Sequence, residues 1–242
     1  MEIRIFQKGF NYSQDGPGNR LVYHLQGCNL RCPWCSNPEG LACTGGRSYT
    51  VDALAEDATS CRMMFFDGGG VTLTGGEVTM QFDAVKELLT RLKENGIHTA
   101  IETNGIHARL PELFPLVDHL IMDCKHYDTE KHRSVTGASN ALTHKNIALA
   151  IAAGKRPALR IPLIGGFNAS PADAEGFARL FGELGLPGNG TLELLTYHEF
   201  GKEKYKTCGL EYTMTDEAKI TPAMLAEFTR ILSAHDMPLI RT

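Results

Sequence analysis

The sequence contains no run of about 18 apolar residues, the length needed to cross a hydrocarbon core. Its first residues, MEIRIFQKGF, lack the apolar stretch of a secretory signal. Positive charge is not in excess, since 24 Lys plus Arg stand against 28 Asp plus Glu for a formal net charge of -4. No cationic stripe is available to follow a nucleic-acid backbone. These absences predict a soluble, cytoplasmic protein that binds neither membrane nor nucleic acid. Linkers, low-complexity segments and short-period repeats are missing too, so the 242 residues, 43% of them hydrophobic, are expected to bury one core as a single domain, 1–242. The cysteine count is seven, an odd number that does not suit a closed disulfide scaffold.

What is present is an alternation of two periodicities. The stretches RLVYHLQG (20–27), VTLTGGE (71–77), HTAIETNG (98–105), HLIMDCK (119–125), ALRIPLIGG (158–166) and TLELLTYHEF (191–200) are rich in apolar and β-branched residues and read as strands. TVDALAEDATSCRMM, QFDAVKELLTRLKENG, LPELFPLV, SNALTHKNIALAIAAG, SPADAEGFARLFGELG and TPAMLAEFTRILSAH carry apolar residues at three- and four-residue spacing and read as helices. Asp83 and Ser170 stand near two helix starts, and Gly96, Gly154 and Gly185 just past helix ends. Six strand-then-helix units imply a right-handed parallel sheet, which can curl toward a barrel or lie flat and doubly wound. In both arrangements ligands bind beyond the carboxyl ends of the strands.

One of those ends carries GCNLRCPWCSNPEG, in which Cys28, Cys32 and Cys35 follow a C-x3-C-x2-C spacing. Three thiolates so close can wrap one small centre, and sulfur ligands select zinc, Cu(I) or iron-sulfur clusters. A structural zinc ion wants four ligands, and no fourth Cys or His completes the loop. Three ligands on a four-iron cluster leave one iron open for chemistry. Cys43, Cys61, Cys124 and Cys208 lack ligand-pair spacing and read as ordinary residues.

The C-x3-C-x2-C loop followed by a GGE strand end resembles the radical S-adenosylmethionine (SAM) enzymes. The ordered set DGPGNR (15–20), QGCNLRCPWCSNPE (26–39), GGGVTLTGGE (68–77), ETNG (102–105), DCKHYDTEKHRSVTGASN (123–140) and YHEFGKEKY (197–205) is similar to the glycyl-radical-enzyme activating enzymes across nearly the whole chain. The resemblance implies a partial (β/α)6 TIM-like barrel holding one 4Fe-4S cluster on Cys28, Cys32 and Cys35, with SAM on the open iron. One electron from the cluster would cleave SAM to methionine and a 5'-deoxyadenosyl radical, which removes a hydrogen atom from a backbone glycine of a partner enzyme. It further implies a flavodoxin or ferredoxin as electron donor, and a monomer.

Residue by residue, the resemblance sets Trp34, Cys35, Ser36 and Asn37 against the adenine, and Gly75 and Gly76 at the SAM amino group, with Glu77 either supporting that loop or facing solvent. It sets Asp123, Cys124, Lys125 and His198 at the ribose and carboxylate, and Glu102, Thr103 and Asp123 near a monovalent cation. The loop Asp15, Gly16, Pro17 and Gly18 would meet the partner's glycine loop at the barrel mouth, with Asp15 in contact. Some members have histidine where this chain has Ser36, and aspartate at Glu102.

Without the resemblance, the glycines read as a tight turn, Asp123 with Lys125 as a surface ion pair, Trp34 as apolar cover, and His198 as an ordinary strand-end histidine. Relatives with the wording CSNPEG often carry an inserted ferredoxin-like domain with two more clusters; here only 39 residues separate Cys35 from Gly75, and no further CxxC pair occurs, so one cluster and no insert are expected. A radical SAM enzyme acting on a small molecule and a non-enzymatic iron-sulfur or zinc carrier are the competing readings.

Overall fold

The computed structural model describes residues 1 to 240. The chain divides into two compact units. The first comprises Met1–Asn29, Glu39–Thr103 and Arg109–Ile121; the second comprises Leu30–Pro38, Asn104–Ala108 and the chain from Met122 onward.

In the first unit the strand order is β3-β1-β2-β4-β5, with β1 Glu2–Tyr12, β2 Asn19–Leu25, β3 Arg47–Thr50, β4 Gly70–Gly75 and β5 Thr99–Thr103. β1 pairs antiparallel with both β2 and β3, whereas β2, β4 and β5 run parallel, with Leu25 opposite Gly75. Chain exits from β2 and β4 therefore leave the sheet at one edge. Two helices cover this unit. In α1 (Val51–Ser60), Thr50 caps the first turn by accepting from Ala53 N–H, and Leu54, Ala55 and Ala58 are buried. In α2 (Phe82–Glu94), Val85, Leu88, Leu89 and Leu92 form the inward stripe.

β6 (His119–Asp123) is the strand at which the two units divide. In the second unit β7 (Ala158–Leu163), β8 (Thr191–Thr196) and β9 (Leu239–Ile240) pair parallel in that order. Its helices are α3 (Thr129–Thr136), α4 (Ala141–Ala152), α5 (Pro171–Glu183), α6 (Lys202–Thr207) and α7 (Pro222–Ala234). Ser170 and Asp173 form a reciprocal capping box at the start of α5, which packs on α7 through Phe177 and Phe228, ring centroids 6.2 Å apart.

All six strands read from the sequence are present. LPELFPLV is a 3-10 segment, Leu110–Leu116, rather than an α-helix, since Pro111 and Pro115 remove backbone donors. Gly96, Gly154 and Gly185 have φ of +64°, +71° and +77°, the left-handed conformation expected just past a helix. Among the described residues no helix is long and apolar enough to cross a membrane.

Candidate functional site

In the first unit the exits of β2 and β4 are stitched together. Gly76 N–H donates to the Leu25 carbonyl at 2.8 Å, and Glu77 N–H to the Gly27 carbonyl at 2.7 Å. A Cβ on Gly76 would lie 2.2 Å from the Gly27 carbonyl oxygen and 2.6 Å from that of Gly40. Gly75 has φ +114°, and a Cβ there would stand 2.4 Å from Leu25 N. Both glycines are thus required by backbone packing before any ligand is considered. Glu77 is buried; its Oε1 accepts from Thr79 N–H at 3.0 Å and from the Thr79 and Thr103 hydroxyls, each at 2.7 Å. It supports the loop and does not face solvent. On β5, Glu102 Oε2 accepts from the Thr74 hydroxyl at 2.7 Å.

Cys28 enters its loop from this stitched edge, half-buried. Gln26 Nε2 donates to the carbonyls of Glu39 and Ala42 at 2.8 and 2.7 Å, bracing the start of the cysteine loop with the returning chain.

The Asp15–Gly18 loop is the connection of the β1–β2 hairpin, so it joins the amino end of β2, the edge opposite Cys28. The antiparallel pairing of β1 with β2 fixes the loop at this end of the strand. It folds back on the sheet face, where the Thr72 hydroxyl donates to the Asp15 carbonyl at 2.7 Å. Fully buried Arg20 pins it, donating from Nε to Thr72 Oγ1 at 2.6 Å and from Nη1 to the Pro17 carbonyl at 3.1 Å. Burial lowers the Arg20 pKa to about 10, opposed by Asp15 and Asp118, so the guanidinium stays charged at neutral pH. The Asp15 carboxylate is half-buried and accepts from Asn11 Nδ2 at 2.5 Å.

The second unit carries the rest of the candidate residues. Cys32 is buried and Cys35 half-buried, and Cys35 N–H donates to the Cys32 carbonyl at 3.1 Å, closing a turn. Trp34, between them, packs on Phe167 with ring centroids 5.0 Å apart. Asn37 Oδ1 accepts from Lys204 Nζ at 3.0 Å, and the Tyr205 hydroxyl reaches the Cys32 and Pro33 carbonyls, each at 3.2 Å. A Cβ on Gly201 would meet the Cys35 carbonyl oxygen at 2.3 Å and Ser36 Cα at 3.2 Å. Lys204, Tyr205 and Gly201 belong to YHEFGKEKY, a segment in which the family resemblance names only His198.

Asp123 and Lys125 project to one side, as their two-residue spacing predicts. Lys125 Nζ stands 2.5 Å from Asp123 Oδ2, with the two side chains only 11% and 22% exposed, so the pair is not an exposed surface one. The backbone beneath is held by buried asparagines: Asn168 Nδ2 donates to the Lys125 carbonyl at 2.8 Å, and Asn140 Nδ2 to that of His126 at 2.6 Å. Single buried asparagines give no sequence period by which to find them. Cys124 points into the core, and burial pushes its thiol up to about 12, so it is protonated at neutral pH. The His198 ring is exposed, stacks on Phe200 at 4.1 Å, and accepts from Phe200 N–H at 3.3 Å.

These donors suit a thiolate-ligated cluster. Among the described residues no cysteine is in a disulfide, and the three loop cysteines sit on chain that is neither helix nor strand, while Cys124 is a buried neutral thiol and Cys43 and Cys208 are exposed. Among the described residues no three His, Cys, Asp or Glu side chains gather tightly enough for a single metal ion.

Comparison with known proteins gives a consistent result. Residues 22–180 match the family model of the Radical SAM superfamily. The chain is 33% identical over 214 residues to the pyruvate formate-lyase-activating enzyme of Staphylococcus aureus, covering 84% of each chain. Among solved structures it is similar to a domain of a pyruvate-formate lyase-activating enzyme from Bacteroides vulgatus, with 25% identity, TM-score 0.59, and coverage of 72% of this chain and 99% of that one. A radical SAM methyltransferase from Sphaerobacter thermophilus shares the fold at 17% identity, TM-score 0.68, and coverage of 100% and 76%. The α/β, partial TIM-like class read from the sequence agrees with these neighbours.

Proposed function

The chain belongs to the radical SAM superfamily and is a radical SAM enzyme, and we propose that its substrate is a protein: a glycyl-radical enzyme whose backbone glycine it converts to the radical form. The likeness to the pyruvate formate-lyase-activating enzyme over most of both chains carries this reading. The family implies a 4Fe-4S cluster and SAM. When bound, that pair supplies reductive cleavage of SAM and a carbon radical able to take a hydrogen atom.

The chain's own residues then divide the remaining work. Cys28, Cys32 and Cys35 ligate one cluster and leave one iron for SAM. Trp34, Ser36 and Asn37 flank the adenine. The Gly75–Gly76 turn, kept rigid by Glu77, presents main-chain atoms to the SAM amino group. Asp123, Lys125 and His198 orient ribose and carboxylate, with Cys124 contributing backbone only because its side chain faces the core. A monovalent cation in this reading lies by the Glu102 carboxylate and Asp123; the Thr103 hydroxyl is already given to Glu77. Asp15 to Gly18 meet the partner's glycine loop. Residues 1–242 act as one core, monomeric and cytoplasmic, fed by a flavodoxin or ferredoxin.

The test is anaerobic reconstitution. About four irons per chain are expected, together with 5'-deoxyadenosine on addition of SAM and a strong reductant. Ala at Cys28, Cys32 or Cys35 should abolish both, and Ala at Cys43, Cys61, Cys124 or Cys208 should spare them. Eight irons per chain, or product from Cys32→Ala, would contradict the reading.

A further inference from the structure

We propose that Tyr205 is a positioning residue for the cysteine loop, holding the turn from Cys32 to Cys35 in the shape that receives metal. The inference rests on the assignment of Cys32 and Cys35 as cluster ligands made above.

α6 is six residues long and buries one of them, Tyr205. A helix so short has little stability of its own, so its place is set by what it touches. Its touching points fall at Gly201, Lys204 and Tyr205, an i, i+3, i+4 set that shares one helix face. That face meets the cysteine loop four times. The Tyr205 hydroxyl is shared between the carbonyls of Cys32 and Pro33. Lys204 Nζ bonds Asn37 Oδ1. Gly201 lies so close to the Cys35 carbonyl that a methyl group would collide with it.

The Cys32 carbonyl is the common acceptor of two donors, Cys35 N–H within the turn and the Tyr205 hydroxyl from outside. One oxygen thus joins the curvature of the turn to the position of α6. The tyrosine is itself aimed: its ring meets Tyr212 edge-on at 5.0 Å, and the Tyr212 and Tyr197 hydroxyls are 2.7 Å apart. Chain between the end of β2 and Pro38 has no helix or strand to fix it. An external clasp supplies the rigidity that a metal site needs in order to hold its ligands at the required geometry.

Tyr205→Phe separates clasping from mere packing, since the ring stays buried and only the hydroxyl is lost. Gly201→Ala tests the same clasp independently. Gly201 has φ -76° and ψ -21°, which alanine adopts without strain, so its effect comes from the collision with Cys35. The measurements are thermal unfolding of metal-free protein, the rate of iron release from the reconstituted holoenzyme to a ferrous chelator, and the EPR spectrum of the reduced cluster with and without SAM. Tyr205→Phe should unfold near the wild-type temperature, release iron about fivefold faster, the factor that one neutral hydrogen bond represents, and give a broadened or shifted EPR signal. Gly201→Ala should show the same changes, larger. Wild-type uptake of a cluster, with iron release and EPR spectrum unchanged in both variants, would overturn the inference alone. Failure of wild-type protein to take up a cluster would overturn the ligand assignment and this inference with it.

Discussion

The Thr103 hydroxyl donates to Glu77 Oε1 at 2.7 Å, so a carboxylate just past β4 is tied to the last residue of β5, 26 positions away. The same oxygen serves the amide and hydroxyl of Thr79. Removing the carboxylate leaves three donors in the interior without their acceptor, and buried unmet donors cost about 1 to 3 kcal/mol each before relaxation. Glu77→Ala is therefore expected to destabilise the protein by about 2 to 4 kcal/mol, and Thr103→Val by about 1 kcal/mol. Urea unfolding of both variants measures this; a wild-type midpoint for Glu77→Ala would show that the carboxylate supports nothing.

Cys124 gives a pH dependence whose sign follows from its burial. Its thiol is pushed from an ordinary 9.0 up to about 12 in the folded chain. Between about pH 9 and 12 the unfolded chain loses this proton while the folded chain keeps it, so the unfolded state binds fewer protons and stability falls as pH rises. Below pH 9 both states hold the proton and the group contributes no slope. Cys124→Ala should flatten the alkaline loss of stability in this window and leave the iron content unchanged. In native protein at pH 8, iodoacetamide should modify Cys43 and Cys208 and spare Cys124. Rapid labelling of Cys124 would contradict its placement in the core.

Asp15→Ala separates recognition of a protein partner from binding of SAM. The carboxylate lies on a loop already anchored by Arg20, through the Pro17 carbonyl and Thr72. The loop should keep its course when one side chain is cut back. A carboxylate accepting from backbone N–H groups of a partner is worth about 1.5 to 3 kcal/mol, or roughly 10- to 150-fold in affinity. Affinity for the partner should fall by that factor, with SAM affinity unchanged by titration. Gly76→Ala is the contrasting case. Its methyl group would strike the Gly27 and Gly40 carbonyls, so protein stability and SAM binding should fall together.

Much of this arrangement is legible in the sequence because it rests on period and spacing. The six long strands are apolar through their centres, and three cysteines within eight residues are visible to inspection. β1 was not visible. In EIRIFQKGFNY only Ile3 and Ile5 are buried, and the rest of the strand is exposed or half-exposed, so a strand held by its neighbours carries little apolar signal. A hairpin from β1 determines which edge of the sheet the Asp15 loop joins, so that edge is not readable without β1. α3 and α6 were missed for a related reason. TEKHRSVT buries His132 and Thr136, and KEKYKT buries Tyr205, and neither set gives an apolar stripe. Glu77, Asn140 and Asn168 are buried polar residues whose partners lie far along the chain, and such pairings exist only once the fold has formed.

The central claim, that this radical SAM enzyme acts on a protein glycine, is tested most directly by EPR. Reconstituted enzyme, SAM, a strong reductant and a purified glycyl-radical enzyme are incubated without oxygen, and the partner is then separated from the activating chain. The account predicts a glycine-centred doublet on the partner, one 5'-deoxyadenosine formed per radical, and loss of both with Cys32→Ala. Steady cleavage of SAM with no radical on any member of a panel of glycyl-radical enzymes, alongside turnover of a small molecule, would contradict it.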